Sequence, residues 1–315
     1  MSNTAQNPIG VLVMSYGTPA GFDQVEAYYT HIRHGRPPSP EQLADLTERY
    51  RMIGGMFPLR EHTNRQVEGL QRELDRRAGK GRYVCYQGLK HVPPFIEDGV
   101  AQMAEDGIRR AVGIVLAPHN SAMSVGSYIK RAEAEAGKRG IRMGFVREYH
   151  LHPELIGAFA DRVKRTLDRF GDRRGDVLVL FSAHSLPEKI LTWNDPYPGQ
   201  LLATSRAVAE AAGVERWGFS WQSAGQTGEP WLGPDLLESL EQAAKEGVRE
   251  VLVAPVGFVS DHLEVLYDVD IEAKRFAEEK GMRLERIEML NDDPRFMRVL
   301  ADSVQAAEEG LPHDG

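Results

Sequence analysis

Two stretches of the chain resemble each other, and this internal repeat restricts the possible folds more than any other feature. Gly107–Pro153 contains the run Val115-Leu116-Ala117-Pro118, and Gly247–Pro294 contains the run Leu252-Val253-Ala254-Pro255. In each copy an apolar run precedes an amphipathic stretch of helical period, and each copy closes with a helical stretch. The repeat therefore predicts a chain built from two similar halves.

Each half opens on another matching run, Val11–Pro19 in the first and Val177–His184 in the second. Runs rich in Val, Ile and Leu alternate with amphipathic stretches, which is typical of a parallel sheet covered on both faces. The predicted strands are Ile9–Ser15, Tyr83–Gly88, Ala111–Ala117, Arg142–Arg147, Asp176–Ser182, Arg216–Trp221, Glu250–Pro255 and Arg283–Glu288. We expect an α/β fold of two doubly wound, Rossmann-like lobes with parallel four-stranded sheets. The predicted lobes are residues 1–155 and 156–315, with the option that the terminal helix crosses back to the first lobe.

Charge and cysteine content exclude several classes of function. The formal net charge is -8, which argues against general nucleic-acid binding because that favours basic surfaces. Cys85 is the only cysteine, so we expect neither a disulfide framework nor an iron–sulfur cluster.

No apolar run reaches the ~18 residues needed to span a bilayer, and the first residues lack a signal-peptide pattern, so we expect a cytoplasmic protein. No loop carries a Gly-x-Gly-x-x-Gly motif or a phosphate-loop lysine, so nucleotide chemistry is not predicted.

In a doubly wound lobe, ligands bind outside the carboxyl ends of the strands, so the loops after strands are the first candidates for a site. His184 directly follows the predicted strand that opens the second half. A histidine in that place is suited to ligate a metal or to move protons near neutral pH. A hydrogen-bonded structural histidine is the alternative.

A row of carboxylates follows the third predicted strand of the second half. Glu264, Asp268 and Glu272 recur at every fourth residue, in a cluster that also contains Asp261 and His262. On a helix this spacing lines one face, where like charges cost stability unless cations, protons or water relieve them. The row is predicted to conduct Fe2+ or protons, and a solvated helix face is the alternative.

The segment Tyr28–Leu59 of the first half combines aromatic and basic residues. It contains Arg33, Arg49, Tyr50 and Phe57. Arginine binds carboxylates through two parallel hydrogen bonds, and aromatic rings offer flat faces to a planar ligand. These residues suit a flat polyacid, whereas an amphipathic helix with ordinary surface arginines is the alternative.

Ordered motifs along nearly the whole chain resemble the ferrochelatase family, and within it the bacterial coproporphyrin ferrochelatases. The matching blocks are Val13–Pro19, Tyr29–Arg33, Gly88–His91, Leu116–His119, Ser182–Pro187, Pro230–Pro234 and Val256–Glu264. The resemblance implies a chelatase-like fold with a porphyrin in an active-site cleft between the lobes. It also implies insertion of Fe2+ into coproporphyrin III in haem biosynthesis, with no cofactor beyond the substrate Fe2+.

The resemblance also implies roles for individual residues. The family's essential histidine and its partner carboxylate match His184 and Glu264, which would address the metal, and its axial tyrosine ligand of the inserted iron matches Tyr16. Asp268 and Glu272 would form the proton or metal path. The implied porphyrin contacts are Arg33, Arg49, Tyr50, Phe57, Tyr128, Lys90, His91 and Trp231. The expected partners are the porphyrin, ferrous iron and, transiently, neighbouring haem-pathway enzymes, and the expected state is a monomer.

The sequence departs from the family pattern at two places. Phe57 stands where a serine is common before Pro-Leu, and Arg33-His34 replaces a frequent Arg-Arg pair. Both changes concern propionate recognition. Neither change touches the metal-side residues. The alternatives to a coproporphyrin ferrochelatase are a protoporphyrin IX ferrochelatase, another tetrapyrrole metal chelatase, or a haem or porphyrin carrier without catalysis.

Overall fold

The computed structural model describes residues 7–225 and 227–311 of the chain. Within these ranges, eight strands form two parallel four-stranded sheets. The strands are β1 Ile9–Ser15, β2 Tyr83–Leu89, β3 Arg110–Val115, β4 Arg142–Val146, β5 Leu178–His184, β6 Trp217–Gln222, β7 Glu250–Ala254 and β8 Arg283–Arg286. Every predicted strand is present, so the predicted α/β class with two four-stranded sheets is confirmed.

Helices connect successive strands. The α-helices are α1 Val25–Ile32, α2 Pro40–Met52, α3 Pro58–Ala78, α4 Ile96–Glu105, α5 Val125–Arg139, α6 Pro153–Leu167, α7 Tyr197–Ala212, α8 Leu236–Lys245, α9 Lys274–Glu279 and α10 Pro294–Glu309. A π-helix spans Val265–Ala273, and 3-10 helices span Phe22–Gln24, Asp168–Asp176 and Glu188–Trp193. Within the described ranges, no helix is both long and apolar enough to cross a membrane.

The chain divides into two compact units. Unit 1 comprises the described parts of residues 1–43, 59–149 and 291–315, and unit 2 comprises residues 44–58 and 150–290. This division differs from a single cut after residue 155, because residues 44–58 fall in unit 2 and α10 lies in unit 1. Gln66 donates a hydrogen bond to the Asn291 carbonyl (2.8 Å), and Arg77 pairs with Asp302.

The strand order is the same in both sheets. It is β2-β1-β3-β4 in unit 1 and β6-β5-β7-β8 in unit 2. All residues of β1 are buried, and so is the middle of β5, because helices cover both faces of each sheet. The repeat in the sequence therefore corresponds to a repeat in topology, and it brings β5 and β7 side by side in unit 2.

Two glycines within helices provide a matched test of the close packing between α4 and β2. An added Cβ on Gly99 would lie 2.5 Å from the Gln87 carbonyl oxygen, whereas an added Cβ on Gly157 of α6 meets no atom within 4 Å. We expect Gly99→Ala to lower the free energy of unfolding by ~1–3 kcal/mol, because backbone must move. Gly157→Ala is expected to raise it by up to ~1 kcal/mol through helix propensity. Urea denaturation of both variants measures this, and equal effects would contradict the packing.

Candidate active site

His184 and Glu264 lie together in unit 2. His184 is the last residue of β5, and Glu264 immediately precedes the π-helix that follows β7. The Nε2 atom of His184 is 3.6 Å from Oε1 of Glu264, and about a third of each side chain is exposed (34% and 35%). The predicted pair is thus close enough to share a metal ion or a proton and remains accessible to both.

Local hydrogen bonds fix the orientation of His184. Its Nδ1 atom contacts the Ser185 carbonyl, which only accepts, so Nδ1 carries the donated proton. The Tyr197 hydroxyl donates to the His184 carbonyl (3.0 Å), and the Ser185 amide donates to the Gln222 carbonyl (2.8 Å). Nε2 is therefore the ring atom left to face Glu264.

The pair favours its charged form. Burial works to lower the pKa of His184, but the Glu264 carboxylate outweighs it and raises that pKa to about 9. Burial conversely works to raise the pKa of Glu264, but His184 and His262 hold it well below its usual range. At neutral pH the site consequently contains an imidazolium beside a carboxylate.

His262 is a member of the site to which the sequence analysis gave no role. Its Nε2 atom is 3.5 Å from Oε2 of Glu264, while its Nδ1 donates to the Ser260 carbonyl (3.0 Å). The carboxylate of Glu264 thus has one histidine at each oxygen. The only signal in the sequence was that His262 stands two residues before Glu264, which does not by itself show that the two side chains meet.

Gln222 also escaped prediction. This buried side chain (3% exposed) ends β6, accepts from the Ser182 hydroxyl (2.8 Å) and donates to the Glu264 carbonyl (3.3 Å). Ser182 lies two residues before His184 in β5. Gln222 therefore ties the strand that carries the histidine to the turn that carries the carboxylate.

The acidic row continues into the π-helix. Asp268 is buried (8% exposed), accepts a hydrogen bond from the Ser223 hydroxyl and lies 3.9 Å from Nη1 of Arg49. Burial raises the pKa of Asp268 to about 6, and the charge of Glu264 adds to this effect. Glu272 is partly exposed in the same helix. Asp268 is thus a buried member of the row, whereas Glu264 and Glu272 are partly exposed.

In unit 1, Tyr16 directly follows β1 and is 40% exposed. Its ring packs on His91, with centroids 4.5 Å apart, and on Tyr28 at 6.4 Å. The Nδ1 atoms of His91 and His31 are 3.0 Å apart, so one ring donates to the other. Burial, together with Lys90 and His31, lowers the pKa of His91 to about 3, which keeps this ring neutral.

Lys90 and Tyr128 also meet in unit 1. The ammonium of Lys90 lies 4.7 Å from the centre of the Tyr128 ring and 2.7 Å from the Ser127 hydroxyl oxygen. Burial and the nearby Arg131 lower the pKa of Lys90 to about 8. The guanidinium of Arg33 lies 5.8 Å from the centre of the Tyr29 ring. These residues form a set of positive and aromatic groups.

The remaining predicted contacts belong to unit 2. Tyr50 is buried (2% exposed) and packs on Phe57, with centroids 4.4 Å apart. Arg49 lies over the Tyr267 ring at 4.8 Å and pairs with Asp45. Trp231 donates to the Thr227 hydroxyl (2.8 Å), and its ring centre is 6.3 Å from that of His184. Arg49 thus contacts the acidic row, which the sequence did not indicate.

No group of three or more His, Cys, Asp and Glu side chains with metal-binding geometry occurs within residues 7–225 and 227–311.

Comparisons with known proteins identify the family of this chain. The family model described as Ferrochelatase matches residues 8–308. The coproporphyrin III ferrochelatase of Geobacillus thermodenitrificans is 47% identical over 315 residues, which cover 98% of this chain and all of that protein (100%). The ferrochelatase of Herpetosiphon aurantiacus is 45% identical over 293 residues, which cover 92% of this chain and 96% of the relative.

Among solved structures, SirB from Bacillus subtilis with Fe3+ has a TM-score of 0.60 and covers 96% of this chain and 98% of its own. Its sequence identity is 11%, so this similarity concerns the fold alone.

The raised pKa of Asp268 predicts a pH-dependent effect of Asp268→Asn on stability. The unfolded chain releases this proton near pH 3.8 and the native protein only near pH 6, so the parent loses stability as pH rises through this window. The Asn variant has no such loss. Its free energy of unfolding relative to the parent should therefore rise by up to ~3 kcal/mol between pH 4 and pH 7.

Urea denaturation at several pH values measures this change. Asp45→Asn is the control, because it also removes a carboxylate that pairs with Arg49, but at an exposed position (58% of the side chain). If the free energy of unfolding of both variants followed the same pH trend, burial of Asp268 would not be the cause of the pH dependence.

Proposed function

The chain belongs to the ferrochelatase family, and on this premise we propose that it is a coproporphyrin III ferrochelatase. It inserts Fe2+ into coproporphyrin III, forms Fe-coproporphyrin III and releases two protons, in haem biosynthesis. The observation that carries the proposal is the half-buried pair of His184 and Glu264 at the carboxyl end of the central strand β5. The names of the relatives support the choice of porphyrin.

Metal insertion requires that Fe2+ exchange water for four ring nitrogens and that two pyrrole N–H protons leave. The Nε2 atom of His184 suits either task, because imidazole is a fitting ligand for Fe2+ and a proton acceptor near neutral pH. In the resting protein that atom holds a proton, because Glu264 raises the pKa of His184 to about 9. When Fe2+ binds at Glu264, its positive charge offsets the negative charge that raises the pKa of His184. The pKa of His184 then falls, so the binding of the metal releases the Nε2 proton.

The carboxylates have different parts in this proposal. Glu264 stays ionised, because the two histidines hold its pKa well below its usual range, so it neutralises the cation rather than storing protons. Asp268, with its pKa raised to about 6, accepts and releases a proton near neutral pH. Protons therefore leave along Asp268 and Glu272.

The remaining predicted residues bind the porphyrin. Tyr16, partly exposed after β1, is the axial ligand of iron in the product. The other porphyrin contacts are Arg33, Lys90, His91 and Tyr128 of unit 1 and Arg49, Tyr50, Phe57 and Trp231 of unit 2. Buried positive groups such as Lys90 bind a propionate well, since pairing with an anion offsets the cost of their burial.

The reaction exchanges protons for a metal ion and involves no change of redox state, so we propose that no cofactor beyond the substrate Fe2+ takes part. The protein acts as a monomer in the cytoplasm in this proposal. A carrier without catalysis remains the alternative from another class of function, and turnover with free Fe2+ separates the two.

The first test is anaerobic turnover of porphyrin and Fe2+ without nucleotide. The parent should convert the four-band visible spectrum of the free base to a metalloporphyrin spectrum over many turnovers. His184→Ala should lower kcat by ~10²–10⁴, the usual loss for one positioned acid–base group, and leave porphyrin affinity within a few-fold. Binding without turnover by the parent would favour the carrier.

His152→Asn is the matched control for this test. His152 precedes α6, where its Nδ1 accepts a hydrogen bond from the Glu154 amide, and asparagine keeps a capping oxygen. We expect turnover close to that of the parent. Near-parent turnover in His184→Ala as well would contradict the assignment of His184.

Substrate preference is the second test. Coproporphyrin III has four propionates and protoporphyrin IX has two, and each additional charge-assisted hydrogen bond contributes roughly 1.5–3 kcal/mol. We expect kcat/KM to favour coproporphyrin III by ~10- to several hundred-fold, which corresponds to one or two such contacts. Both porphyrins are measured in one buffer at one detergent concentration. Equal values of kcat/KM would contradict the proposed preference for coproporphyrin III but not the proposed chelatase activity.

A further inference from the structure

Arg286 is a buried arginine at the carboxyl end of β8, with 13% of its side chain exposed. Its Nε and Nη2 atoms donate to the two carboxylate oxygens of Asp270, both at 2.7 Å. Its Nη1 atom lies 3.2 Å from Oδ1 of Asp261 and donates to the Ile287 carbonyl at 2.9 Å. One guanidinium therefore joins a strand end, a loop and the π-helix.

The sheet itself does not require an arginine at this position. In the pairing of β7 with β8, the fourth pair of residues is Val253 and Arg286. In the corresponding pairing of β3 with β4 in unit 1, the fourth pair is Gly113 and Phe145, so an apolar residue stands in the place of the arginine. Because burying a charge is costly, an arginine in place of an apolar residue indicates a role other than closing the sheet.

The two partners of Arg286 stand on either side of Glu264 and Asp268 in the chain. Asp261 stands three residues before Glu264, in the loop that also carries His262, and Asp270 stands between Asp268 and Glu272 in the π-helix. A π-helix is rare and occurs frequently at functional sites. The guanidinium is a counterion shared by Asp261 in the loop and Asp270 in the π-helix, so its loss would leave both carboxylates without this partner.

We propose that Arg286 is a positioning residue for metal insertion, which holds Glu264 and Asp268 in the arrangement that receives Fe2+ beside His184. It acts through Asp261 and Asp270 and touches neither the metal nor the porphyrin. The proposal rests on the proposed ferrochelatase activity. It predicts a defect on the metal side of the reaction, whereas general loss of structure would affect both substrates alike.

The experiment compares Arg286→Met, Arg286→Lys and Asp270→Asn with Arg283→Met. Arg283 is the control, because it lies on the same strand and pairs with Glu285, which is not part of the row. Arg286→Met should lower kcat/KM for Fe2+ by ~10–100-fold, the usual loss when a group supporting a metal ligand is removed. KM for the porphyrin should stay within two-fold, and Arg283→Met should resemble the parent.

Arg286→Lys keeps the charge but cannot bind both oxygens of Asp270, so it should recover only part of the loss. Asp270→Asn should show the same selective loss of kcat/KM for Fe2+. If Arg286→Met does not fold, Asp270→Asn serves as the test in its place. Hydrogen exchange should become faster across Val265–Ala273 in Arg286→Met and not in Arg283→Met.

Equal kinetics and exchange in Arg286→Met and Arg283→Met would overturn the proposal. So would an equal loss of kcat/KM for Fe2+ and for porphyrin. A parent protein without turnover would instead contradict the proposed function, while hydrogen exchange would still decide whether Arg286 holds the π-helix.

Discussion

Burial of the central strands on both faces is the constraint on which the site depends. β1 and the middle of β5 have no exposed face, so a polar side chain within them would need a partner in the core. Chemistry is therefore confined to the carboxyl ends, where the chain leaves the sheet. Tyr16 follows β1 in the first position after the strand, and His184 is the last residue of β5.

The electrostatics of unit 2 follow from one carboxylate. Glu264 lies between two histidines, which keep it ionised, and its charge in turn raises the pKa of both His184 and Asp268. Neighbouring carboxylates with pKa values pushed apart usually have different roles. In the proposed reaction, the ionised Glu264 attracts the cation, and Asp268, with its pKa raised to about 6, takes up displaced protons.

The sequence predicted the strands well, because buried parallel strands appear as continuous apolar runs whose ends are polar or glycine-rich. The position of His184 directly after such a run made it a candidate, whereas its pairing with Glu264 came from the resemblance to the ferrochelatase family. The π-helix was not foreseen, since a spacing of four residues is compatible with an ordinary α-helix. Gln222 and Arg286 were also missed, because their importance comes from contacts with residues about 16 to 42 positions away.

The shared topology of the two units makes their difference in charge informative. In unit 1, burial and Arg131 lower the pKa of Lys90, and burial and Lys90 lower the pKa of His91, so this set gains from the approach of an anion. In unit 2, His184 has a raised pKa because of a carboxylate, so this set gains from the approach of a cation. A carboxylated porphyrin and a ferrous ion are an anion and a cation. The two sets do not occupy equivalent strand ends, because Lys90 and His91 follow β2 whereas His184 ends β5, whose counterpart in the shared strand order is β1. The difference in charge therefore arises from side chains placed after different strands of one topology.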